Sequence, residues 1–134
     1  MGRTRNTTAK DNRERAATAR EHYQVAQERL QIAPDGNSSE AQVAATAAVH
    51  AVIAAADAIC GHALGHRSAE PDHRAAGKLL EATGPDGKKL AAKFVRLASD
   101  KTALTYGGWC TRAEAARAVK DAAAFVDLLD KLNL

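Results

Sequence analysis

The stretch AQVAATAAVHAVIAAADAICGHAL, residues 41–64, constrains the fold more than any other part of the chain. Alanine dominates its apolar set, and aromatic residues make up only 4% of the whole protein. Alanine loses no rotamer freedom in a helix and lets backbones approach closely. Few aromatics and few β-branched runs argue against a sheet protein. At 134 residues the chain is long enough for one domain with a real core and no disulfide staples. Its 46% hydrophobic and 26% charged residues are a globular balance rather than a disordered one.

Periodicity and turn chemistry set the expected elements. The first seven residues read as a disordered basic tail, and residues 8–134 as a single helical domain. Ala16, Ala19, Tyr23, Ala26, Leu30 and Ala33 recur at helical spacing, which predicts a helix from Thr8 to Ala33. PDGNSS, residues 34–39, stops it. Ser39 with Gln42 forms a capping box that opens a second helix, which runs to Leu64 and ends at Gly65. A short helix follows over 72–82, and TGPDG, residues 83–87, reads as a turn. A fourth helix is expected from Lys88 to Thr105, and a last one opens with the Thr111/Glu114 capping box and runs to Leu132. No strand-like alternation and no internal repeat is visible. The pattern predicts an all-α protein, an antiparallel up-and-down bundle of four long helices plus one short helix. Trp109 is expected to cap the end of its core.

Cys60 and Cys110 do not form a CxxC pair, and the polar N-terminus has no apolar secretory core. Cytoplasmic residence with reduced thiols is the expectation. AVIAAADAIC is too short for a membrane span and carries Asp57. The opening MGRTRN departs from a myristoylation signal at Asn6.

The net charge of +3 lies in the first thirty residues, which hold seven Lys or Arg against four acids. Arg3, Arg5, Lys10, Arg13 and Arg15 form a basic arm able to touch phosphate. The rest of the chain carries twelve charges of each sign.

DAICGHALGHRSAEPDH, residues 57–73, concentrates the remaining polar chemistry. On a regular helix Cys60 and His62 point roughly 160° apart, so Asp57, Cys60, His62 and His66 cannot share one metal. No metal site and no cofactor is expected, and Cys60 reads as a small core residue. In the fourth helix, Lys101 falls inside the stripe of Leu90, Phe94, Leu97 and Leu104. A charge there needs a partner or a route to solvent. Asp57, at the flank of an apolar face, is the candidate partner on another helix.

These residues resemble the HEPN superfamily, most of all its small actinobacterial members. The matching pieces are Ala56-Asp57-Ala58-Ile59, Gly65-His66-Arg67, Asp72-His73, and Leu97 through Lys101 to Tyr106-Gly107. The resemblance covers residues 40–130 and implies a helical bundle, often dimeric. It also implies one of two activities. Catalytic members are metal-independent RNases with an R-x4–6-H motif late in the bundle. Silent members bind RNA, nucleotides or partner proteins, in toxin–antitoxin or phage-defence settings. Here Thr105 stands where the histidine would precede the tyrosine, and threonine cannot act as an imidazole does. A second match, Arg67 to His73, spans a loop containing Pro71.

The expected function is therefore a non-catalytic module binding RNA, nucleotide or a protein partner, as a homodimer away from membranes. Asp57, Arg67, Asp72, His73, Lys101 and Tyr106 are its candidate binding residues. The alternatives are an endoribonuclease using Arg67 and His73, or a DNA-associated or structural assembly subunit using the basic N-terminal helix.

Overall fold

A computed structural model describes residues 3–70, 73–99 and 107–134. Among them are five helices, α1 (Ala9–Ile32), α2 (Ser39–Leu64), α3 (His73–Glu81), α4 (Pro85–Ser99) and α5 (Arg112–Lys131). Two three-residue strands, β1 (Thr4–Asn6) and β2 (His66–Ser68), pair antiparallel. The protein is mostly helical with a small two-stranded ribbon, which agrees broadly with the all-α expectation.

Helix α2 is the centre of the fold. Ala41, Ala44, Ala45, Ala48, Ala55 and Ala58 have no exposed surface, and Val49, Val52, Ile59 and Cys60 are buried with them. The wheel predicts one apolar face, but most of the helix is enclosed. Alanine makes this possible, because neighbours can close on every side of a helix with such short side chains. By length and composition α2 could also cross a membrane, contrary to expectation, with a mean hydropathy of 1.8 over its most apolar window. Burial of 72% of that window inside the protein is how a core helix behaves.

Around it, α1 contributes Ala16, Ala19 and Ala26, α4 contributes Leu90, Phe94 and Leu97, and α5 contributes Phe125 and Leu129. The Phe94 and Phe125 rings meet at 6.5 Å between centroids. The start of α5 is tied to the α1–α2 turn by Arg112 N–H to Gly36 O at 3.0 Å and Arg112 Nε to Ala33 O at 3.1 Å.

Four local expectations need correction. Residues 3–7 are not a disordered tail. Arg3 O accepts from Ala69 N–H, Thr7 N–H donates to Gly65 O, and β1 lies between these bonds against β2. Ser38, not Ser39, caps α2, accepting from Ala41 N–H at 3.0 Å. The turn at 83–87 is shorter than expected because Pro85 opens α4 instead of breaking it. Its fixed φ and missing N–H suit a first helical position. Trp109 is 63% exposed among the described residues rather than buried over the core.

Replacing Ala55 by Leu forces three extra carbons into a fully enclosed site. Urea denaturation should show a loss of about 1–3 kcal/mol, with retained helicity by circular dichroism.

Candidate functional site

The last turns of α2 and the first of α1 run side by side, in opposite directions. Gly61 lets them meet: a Cβ there would run into the Asn12 carboxamide and the Thr7 hydroxyl. Asn12 is consequently 6% exposed. Gly65, left-handed at φ 77°, ends α2 and turns the chain into β2. The N-terminal strand then returns alongside, with Arg5 directly opposite Arg67 and Asn6 opposite His66.

These elements surround one carboxylate. Asp57 Oδ2 accepts from Arg15 Nη2 at 3.0 Å and lies 3.7 Å from Arg67 Nη1. Its side chain is 13% exposed. Burial pushes the Asp57 carboxyl above its ordinary 3.8, against the pull of Arg15, Arg67 and, more weakly, His73. Arg67 also donates to Ser68 O at 3.5 Å, and the His73 ring packs edge-on against Phe94 at 6.2 Å.

Asp57, Arg67 and His73 therefore come together as candidates. The sequence reading assigned Arg15 to the basic arm and missed that it reaches this cluster. No pattern in the sequence marks it, because it sits 42 residues from Asp57. Asp72, Lys101 and Tyr106 lie outside the described residues, and so does the Asp57–Lys101 contact. The rest of the arm is less uniformly free than its charge suggests. Arg3 Nε meets Glu70 at 3.4 Å, Lys10 meets Glu14 at 3.7 Å, while Arg5 and Arg13 are exposed.

Beside the cluster lies a cleft of about 130 Å³, lined by Arg5, Thr7, Asn12, Arg15, Asp57 and Arg67 together with Asn6, Asp11 and Glu14. Three arginines thus line it. Asp11 is occupied by the α1 capping box, which holds its carboxyl below the usual range, and Glu14 by Lys10. Thr7 Oγ1 and Arg15 Nε are buried there with no hydrogen-bond partner among the described residues. A buried donor without an acceptor is costly and invites a ligand or water. The N-terminus of α1 adds a positive dipole end.

Other chemistry is muted. No group of three or more metal-ligating side chains exists among the described residues. His66 lies on β2, past the end of α2, so it does not form a helical pair with His62. Burial, aided by Asp57, pushes the Cys60 thiol up to about 12, which leaves it protonated and unreactive. Comparison with protein-family models, curated proteins and solved structures finds no match.

Two outcomes check the cluster. In a double-mutant cycle, Arg15→Ala and Asp57→Ala should couple by about 0.5–3 kcal/mol in urea denaturation. The raised Asp57 pKa also has a sign. Below 3.8 the carboxyl is protonated in both folded and unfolded chains. Above it the unfolded chain loses the proton first, so this group disfavours folding increasingly until pH passes the folded-state value. Stability of Asp57→Asn, followed against pH, should lack that downward contribution. Separately, Gly61→Ala should cost about 1–3 kcal/mol by crowding Asn12 and Thr7.

Proposed function

We propose that the protein is a non-catalytic RNA-binding module of HEPN-like kind that seats one backbone phosphate in the cleft between β1, β2 and the start of α1. The observation that carries this reading is the trio Arg5, Arg15 and Arg67 around one cleft, where Asp57 is shared by two of them and Asp11 and Glu14 are engaged by the α1 cap and by Lys10. Arg5 and Arg67 stand opposite one another across the ribbon, where like charges repel. An anion between them relieves that repulsion and supplies acceptors for Thr7 Oγ1 and Arg15 Nε. The exposed Arg5 and Arg13 extend the positive surface beyond the cleft.

The same geometry favours binding over cleavage. Arg67 is oriented at the cleft by Asp57 and Ser68, while His73 packs on Phe94 and is not among the residues lining the cleft. The scaffold in this reading is an antiparallel up-and-down set of four long helices and one short one. The Arg20–Asp130 contact between α1 and α5, and the Asp86–Lys131 contact between α4 and α5, support it.

A fluorescent single-stranded RNA should bind the purified protein, with affinity falling steeply as salt rises. Arg5→Glu should weaken binding about ten-fold and lower the salt slope by about one phosphate contact, with the fold unchanged. The RNA should stay intact on long incubation. Failure of the protein to bind RNA at low salt overturns the proposal. Cleavage that disappears in His73→Ala overturns its non-catalytic part.

A further inference from the structure

A second concentration of positive charge lies between α4 and α5, away from the cleft and unmarked in the sequence. The two helices run antiparallel, fixed by Asp86–Lys131 at 2.8 Å and Arg96–Asp121 at 2.8 Å. Between them is a groove of about 550 Å³, lined by Lys93, Arg96, Arg117 and Lys120, with Leu97, Ala118, Glu114 and Asp121. That volume is in the range of small-molecule sites.

Its two carboxylates are already occupied. Glu114 closes the α5 capping box, accepting from Thr111 N–H at 3.1 Å, and this holds its carboxyl below the ordinary range. Asp121, mostly buried, lies between Arg96 and Lys93. Arg117 and Lys120 are exposed and form no ion pair with any described residue. The groove therefore has two exposed cations on α5, Arg117 near the Glu114 carboxylate, facing two anchored ones on α4. Leu97 and Ala118 are buried apolar residues lining it.

The cations of each helix are three residues apart, about 4.5 Å along the axis. Two opposed rows at that spacing match the closely repeated charges of a short polyphosphate chain better than a lone anion. We propose that this groove is a binding site for a linear di- or triphosphate group, carried by a nucleotide or free. Two successive phosphates then each meet a cation from both walls, while Asp121 holds Lys93 and Arg96 at the groove. A nucleoside would have Leu97 and Ala118 as its apolar contacts.

Calorimetric titration of the full chain tests this with three probes: ATP, inorganic triphosphate and inorganic phosphate. One equivalent of triphosphate or ATP should bind, and phosphate should bind much more weakly. Tighter binding of ATP identifies a nucleotide as the ligand, and equal binding identifies the polyphosphate alone. Arg117→Glu and Lys120→Glu, both at exposed positions, should each weaken binding by about ten-fold or more. Arg5→Glu should leave it unchanged, which separates this site from the RNA-binding cleft. Absence of binding at millimolar ligand, or equal binding by the wild type and the two α5 variants, overturns the proposal.

Discussion

The close approach of α1 to α2 governs the rest of the molecule. Ala16, Ala19 and Ala26 on α1 have no exposed surface, and neither do six alanines on α2. Small side chains shorten the distance between packed helices. Gly61 carries this to the end of α2, where it leaves the space that Asn12 and Thr7 occupy. The first turns of α1 are thereby pressed onto the last turns of α2, and Arg15 is delivered to Asp57. A carboxylate on a helix enclosed to this degree needs partners, because an isolated buried charge is expensive. One partner comes from α1 and the other from β2, so the same carboxylate that burdens the core also fixes the strand after it.

That dependence explains why the N-terminal strand has a defined place. A two-stranded ribbon is marginal in water by itself. The side chains of β1 are exposed, and the Arg3–Glu70 pair is a surface contact worth little. What holds β1 is the anchoring of its neighbour: Gly65 ends α2, Arg67 reaches Asp57, and Thr7 N–H donates to Gly65 O at 3.0 Å. The cleft is bounded partly by β1, so it depends on core packing several residues away.

The helices were legible because their signals are local. The Thr111 cap, the Gly65 terminator and the stripe of Leu90, Phe94 and Leu97 act within a few residues. The strands were not legible, since three residues are too few to show alternation and the partner of Thr4 is Ser68. Pro85 misled because proline both breaks helices and begins them, and only the chain before it decides which. At the site, the unusual position of Asp57 was readable from its helical angle, as was its need for a counter-charge. Arg15 was not readable as that counter-charge, because its position on α1 looks like ordinary solvated surface until α2 is laid beside it.

Charge was the least legible property, for a simple physical reason. Residues 31–134 contain equal numbers of acids and bases, which suggests a neutral surface. Yet a sum over sequence ignores what each charge already does. Glu114 is consumed by a helix cap and Asp121 by two cations, so the groove beside them is positive although residues 31–134 as a whole are balanced. The two basic regions also differ in kind. Arg15 and Arg67 are held in place by Asp57, so a ligand in the cleft meets donors already ordered and loses little side-chain entropy on binding. Arg117 and Lys120 are exposed and form no ion pair within 4.0 Å among the described residues, so what they bind must order them. The cleft should therefore discriminate by shape and hydrogen bonding, and the groove by charge density.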